Sequence, residues 1–144
     1  NNRTFMDKVA ILARVSTDKQ EYRRQVNELK SFCQKMDWEI IGTFTNKISG
    51  AESLENRKEL IEMIEFVRSN DVQRVVCLEI SRLGRNTLEA LKVIQILNEN
   101  KVSLYIKNYS LETLNSDRSI KLRVSYALYS WRLHLWNVLL SESA

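Results

Sequence analysis

The chain contains no proline and only three glycines, Gly42, Gly50 and Gly84. Sharp turns therefore have few favoured sites, and the chain should be mostly helix and strand. Cysteine is also scarce. Cys33 and Cys77 stand far apart and form no CxxC pair. That spacing argues against metal or redox use, and both thiols fall in apolar patterns suited to core packing. Two lone thiols fit a reducing, cytoplasmic setting. His134 is the one histidine. It lies between apolar stripes of a helical pattern, where packing is the simpler role. No apolar run is long enough to span a bilayer, and no signal peptide is visible. A GxxxxGK[ST] loop is missing too, which argues against a nucleotide-phosphate enzyme.

What is present suits one globular domain. The chain has 144 residues, 44% of them hydrophobic, enough to bury a core. Its 22 basic and 18 acidic residues give a formal charge of +4. That balance permits a polyanionic partner without demonstrating one.

Apolar periodicity alternates between two kinds of element. "KVAILARV" (8–15) reads as a buried strand. From Thr17 the period becomes helical, with Tyr22, Val26, Leu29, Cys33 and Met36 on one face. Thr17 and Gln20 also read as a capping box. "WEIIGTF" (38–44) is a second strand, and polar 45–56 reads as a mobile loop. Residues 57–69 are helical, with Leu60, Ile61, Ile64 and Val67 inward. "RVVCLEI" (74–80) is a third strand, "SRLGRN" (81–86) a turn, and Thr87 to Asn98 a helix facing inward through Leu88, Leu91, Ile94 and Leu97. "VSLYIK" (102–107) is a fourth strand. This alternation predicts an α/β fold: a mainly parallel four- to five-stranded sheet flanked by helices, with a long C-terminal helix. The expected division falls after residue 117, with the sheet domain in 1–117 and the terminal helix in 118–144.

That terminal stretch, from Ser119 to Leu140, carries two apolar stripes. One includes Trp131, the other Trp136. A helix apolar on two sides is deeply buried or shared with another chain. The sharing predicts a subunit interface.

Ligands of open parallel sheets gather at the carboxyl ends of strands. Arg14 and Ser16 end the first strand, while Ser81, Arg82 and Arg85 follow the third. If those two strands are neighbours, three guanidiniums and a hydroxyl share one rim. Their mutual repulsion is relieved by an anion, and guanidinium forks match phosphate oxygens. Arg85 also precedes a helix N-terminus, which favours negative charge. Each residue alone has a plainer role. Ser16 could only start a helix, Gln20 could only complete a cap, and Arg82 and Arg85 could be surface charges.

The order and separation of "ARVSTDKQ", "FTNKISG…NRKEL" and "SRLGRN" resemble the catalytic domain of the serine recombinases, the resolvase/invertase family. The resemblance covers about residues 8–115. It implies that Ser16 attacks a phosphodiester of duplex DNA, forming a 5′-phosphoserine and releasing a 3′-hydroxyl. Arg14 and Gln20 then stand beside the nucleophile, and Arg82 and Arg85 hold the phosphate. Arg57 is a further arginine after the mobile loop, Ser49 matches a loop serine of the family, and Ser81 is a supporting candidate beside Arg82. The family implies a homodimer that becomes a tetramer on the recombination site, encoded by a bacterium or a mobile element and acting in the cytoplasm. A serine ester retains the energy of the broken bond, so no cofactor and no metal are expected. Arginine stays protonated and is a poor base, so no proton acceptor is identified.

Three features depart from the family pattern. Ser81 occupies a position that is often aspartate, and Asn46 replaces an acid after the second strand. "YALYSWRLHLWNVLL" lacks the Glu-Arg-rich signature of the long helix. No DNA-binding unit follows it within the chain. The rival reading is therefore a catalytically impaired dimerisation or regulatory module of the same fold.

Overall fold

Five consecutive residues, Val9 to Ala13, have no exposed surface. An apolar run without alternation demands such a strand, covered on both faces. It lies inside β1 (Asp7–Val15), and β2 (Trp38–Lys47), β3 (Arg74–Cys77), β4 (Ser103–Ile106) and β5 (Leu111–Glu112) complete one sheet. The spatial order is β2-β1-β3-β4-β5. The first four strands run parallel, and β5 pairs antiparallel with β4. These features come from a computed structural model that describes residues 6–15, 18–47, 58–84, 87–121 and 130.

Three helices connect the strands: α1 (Lys19–Lys35), α2 (Lys58–Ser69) and α3 (Thr87–Glu99). They divide the strand residues between two cores. Ala10 and Leu12 pack with Leu60, Met63 and Val67 of α2 and with Val93, Ile94 and Leu97 of α3. Val9, Ile11 and Ala13 pack with Val26, Leu29 and Cys33 of α1. Both cysteines are buried and free. Burial pushes the Cys33 thiol up to about 11 and the Cys77 thiol up to about 12, as expected of thiols used for packing.

Glycine matters at one point of the sheet. The β1–β2 register shifts between Val9 and Ala10, so Ile40 opposes Val9 while Gly42 opposes Ala10. A Cβ on Gly42 would stand 2.7 Å from the Phe44 ring and 2.9 Å from Phe66. Its absence lets those two rings meet, with centroids 5.1 Å apart.

The scarcity of glycine does not prevent sharp helix endings. Asp37, Asp71 and Lys101 take positive φ angles of 57°, 53° and 59° just after α1, α2 and α3. The end of α3 shows why the chain accepts this. Val102 N–H donates to Leu97 O at 2.9 Å and Lys101 N–H to Asn98 O at 3.0 Å. That pair of bonds is a Schellman motif, and buried Val102 and Leu97 close it with an apolar contact.

Several expectations need correction. The N-cap of α1 is Asp18, whose Oδ1 accepts from Gln20 N–H at 3.0 Å and Glu21 N–H at 3.3 Å. The helix thus starts later than Thr17, with Asp18 in place of a Thr17–Gln20 box. Met36 is 43% exposed because it is the C-cap, beyond the last helical turn. Ile61 is 40% exposed, since Leu60 and Met63 take the inward face of α2. β2 continues to Lys47, into the stretch read as loop. β3 ends at Cys77, and Ile80–Arg82 forms a 3-10 turn instead of extending it. The helix expected from Ser119 does not begin there: Ile120 forms an antiparallel bridge with Leu114, and Lys121 N–H donates to Thr113 O at 3.0 Å. The rest of that loop (48–56), Arg57 and nearly all of the remaining terminal stretch, with Trp131, His134 and Trp136, lie outside the described residues.

Candidate functional site

The condition set by the sequence is met: β1 and β3 are parallel neighbours, paired from Val9↔Arg74 to Ile11↔Val76. Their carboxyl ends therefore open on the same rim. Arg14 stands there on β1, and Arg82 closes the 3-10 turn after β3.

Arg14 is held by its main chain. Its N–H donates to Gln25 Oε1 at 3.0 Å, and its carbonyl accepts from Gln25 Nε2 at 3.2 Å. The β1–β3 ladder stops at Ile11, and the Gln25 amide gives Arg14 the donor and acceptor that a longer strand would supply. Gln25 is only 2% exposed. The half-buried Arg14 side chain keeps its Nε out of solvent, without a hydrogen-bond partner among the described residues.

Arg82 is built into the turn in a similar way. Arg82 N–H donates to Glu79 O at 3.1 Å and Leu83 N–H to Ile80 O at 3.0 Å. Leu83 has no exposed surface and anchors the turn in the core. Gly84 follows, where a Cβ would stand 2.5 Å from Glu89 Cβ and 2.9 Å from Ala90 N. Only a residue without a side chain lets α3 start so close to the turn. The Arg82 carbonyl accepts from Asn46 Nδ2 at 2.8 Å. Asn46 is 1% exposed and lies opposite Arg14 in the β1–β2 ladder.

The Arg82 side chain is 14% exposed, and Nη2 lies 3.9 Å from Glu79 Oε2, a long contact to a half-exposed carboxylate. Its Nε, like that of Arg14, is buried without a partner among the described residues. An unmet buried N–H costs on the order of 1–3 kcal/mol. Two such guanidinium donors at one rim form an arrangement that an oxyanion would relieve. The positive field reaches α1. The Glu21 carboxyl is held below its usual range, chiefly by the hydrogen bond from Arg24 and further by the charges of Arg24 and Arg82.

The other candidates are placed unequally. Gln20 is exposed in the first turn of α1. Ser81 lies within the 3-10 turn by its backbone. Ser16, Ser49, Arg57 and Arg85 lie outside the described residues. No group of three or more His, Cys, Asp or Glu residues that could hold a metal occurs among the described residues. None of the helices described is long and apolar enough to cross a membrane.

Sequence reasoning missed Gln25, although a signal existed. It sits beside Val26 on the apolar face that continues through Leu29 and Cys33, and a polar side chain on a buried stripe must bond something. Asn46 stood out only as a departure from an acid, and its amide bond to Arg82 was not foreseen.

The chain is thus a mainly parallel α/β domain in which, among the described residues, the Nε groups of Arg14 and Arg82 are buried without partners at the carboxyl-end rim of the sheet. The Resolvase, N terminal domain family model matches residues 9–131, and the chain belongs to that family. It is 36% identical over 94 residues to the Transposon Tn552 DNA-invertase BinR of Staphylococcus aureus, covering 65% of this chain and 43% of that protein. It is 34% identical over 93 residues to the Transposon Tn552 resolvase of the same organism, covering 65% and 42%. The chain thus spans less than half the length of these curated relatives. Among solved structures, a resolvase family site-specific recombinase from Streptococcus pneumoniae matches with a TM-score of 0.73 at 25% identity, over 95% of this chain and 93% of that one. The N-terminal catalytic domain of TP901-1 integrase shares the fold, with a TM-score of 0.71 at 24% identity over 90% and 98%.

Proposed function

We propose that this chain is the catalytic domain of a serine site-specific recombinase acting on duplex DNA. Ser16 attacks a backbone phosphorus, a serine–phosphate bond forms, and the bond from phosphorus to the 3′ oxygen breaks. The serine proton passes to an acceptor, and the departing oxygen takes up one proton and leaves as a 3′-hydroxyl. Rejoining reverses these steps with a new 3′-hydroxyl, so the number of phosphate ester bonds is conserved. Arg14, Arg82 and Arg85 bind the phosphate oxygens, where charge accumulates in the transition state. Gln20, Ser49, Arg57 and Ser81 support them. Residues 1–117 form the catalytic unit, and 118–144 carry the oligomerisation element of a dimer that pairs into a tetramer on DNA.

The observation that carries this reading is the pair of buried Nε–H groups of Arg14 and Arg82, without partners among the described residues, at the end of β1 and in the turn after β3. Within a resolvase-family domain, those donors have a natural acceptor in a DNA phosphate. The test is Ser16→Ala in the full gene product, incubated with duplex fragments from the DNA flanking its gene. The parent should give a covalent protein–DNA adduct resistant to denaturant, and the variant should give none while folding normally. Adducts that persist in the variant would place the nucleophile elsewhere.

A further inference from the structure

We infer that Asn46 is a positioning residue for Arg82: its amide fixes the turn that presents the guanidinium, and it does so as a hydrogen-bond donor. The inference rests on the recombinase reading of the rim.

Asn46 is at the far edge of the three-strand unit, on β2, whereas Arg82 follows β3, on the other side of β1. Its side chain nevertheless reaches the Arg82 carbonyl at 2.8 Å. The amide therefore ties the end of β2 to the arginine turn across the end of β1. It does this opposite Arg14, its partner in the β1–β2 register. One buried residue thus touches the frame of both arginines.

The turn needs this bond. Its two internal hydrogen bonds use the carbonyls of Glu79 and Ile80, and the Arg82 carbonyl takes its bond from Asn46 instead. The carbonyl belongs to the same residue as the guanidinium. Fixing it fixes the origin from which the side chain extends. At 1% exposure, water is a poor substitute for the amide. The donor character matters as well. An ionised carboxylate at position 46 has only acceptors and would repel the carbonyl it faces. In this chain an amide stands where the family pattern has an acid, and it donates through Nδ2, which an ionised carboxylate does not.

A double-mutant cycle tests the inference in the full gene product, using duplex fragments from the DNA flanking its gene. Asn46→Ala, Arg82→Ala and the double variant are compared by adduct-formation rate at saturating DNA and by DNA affinity. Asn46→Ala should slow cleavage by on the order of 10²-fold, the loss typical of a small misplacement at a reacting centre, with affinity nearly unchanged. In the Arg82→Ala background it should cost nothing further. Independent, multiplicative losses would overturn the inference, as would a parental rate for Asn46→Ala. Asn46→Asp keeps the side-chain shape and decides the matter if the alanine variant does not fold. It should be slow at neutral pH, and parental cleavage by it would show that no donor is needed. A parental rate for Arg82→Ala sinks the reading of the rim itself. A slow Arg82→Ala beside a normal Asn46→Ala sinks only the role given to Asn46.

Discussion

Cys77 shows how closely a packing residue approaches the rim. It is the last residue of β3, fully buried, and its Sγ lies 3.4 Å from the Glu79 carbonyl at the entry to the arginine turn. Burial pushes its thiol up to about 12 from an ordinary value of 9.0, because the thiolate would lose its solvation. The consequence for stability has a definite sign. Above the unfolded value the unfolded chain releases the thiol proton and the folded chain retains it. Alkali therefore favours unfolding, and stability falls from about pH 9 up to about 12. Below pH 9 the thiol is protonated in both states and contributes no slope. Each fully developed pH unit in that window costs about 1.4 kcal/mol. Cys77→Val should flatten the decline by about that amount per unit. Urea unfolding of parent and variant, followed from neutral to alkaline pH, measures it. Identical slopes would mean that the thiol reaches solvent in the folded protein.

The helix endings make an argument at the scale of elements. With three glycines in the chain, the turn after α3 falls to Lys101 at a φ of 59°. A side chain in this conformation is strained by roughly 1 kcal/mol. Lys101→Gly removes the strain but gains freedom in the unfolded chain. The two nearly oppose each other, and the Schellman geometry tips the balance toward glycine. The variant should be more stable by no more than about 0.5 kcal/mol, the difference between the relieved strain and the entropic cost of glycine, read as a slightly higher urea midpoint at constant slope. A lower midpoint would mean that the lysine side chain itself supports the turn. These endings also mark where the sequence was readable. Unbroken apolar runs and period-3.6 stripes gave the strands and helices, because burial on both sheet faces left a continuous apolar run in Val9–Ala13 and helices with one covered face kept single stripes, as on α1. Boundaries were less readable. Met36 continued the stripe of α1, but a stripe carries no information about a left-handed Asp37 that ends the helix. At the rim, the arginines were legible because they follow strands. Gln25 and Asn46 were not, because a buried amide is specified by the backbone atom it meets, and that partner is distant in sequence.

At the scale of the whole molecule, the sheet already has helices on both faces, α1 on one and α2 with α3 on the other. The stretch from Ser119 to Leu140 adds a further apolar pattern with two stripes. One stripe can cover this domain, and the second then needs another surface. A second copy of the chain provides one, which is why the segment is assigned to oligomerisation in the proposal. Trp131 belongs to one stripe and Trp136 to the other. Tryptophan is the residue whose loss most often weakens an interface strongly, by about 2 kcal/mol or more. Trp131→Glu adds the cost of desolvating a charge. It should weaken self-association by at least about 30-fold, the equivalent of that energy, while the absorbance and unfolding of the domain core stay near those of the parent. Sedimentation equilibrium over a concentration series gives the two dissociation constants. Trp136→Glu, on the opposite stripe, separates the roles of the two faces: the stripe that binds the partner gives the weaker dimer, and the stripe that covers the domain gives the less stable fold. A parent that remains monomeric at the highest concentration leaves no second copy for the spare stripe to meet. It would favour a catalytically impaired regulatory module over a recombinase that must assemble on DNA.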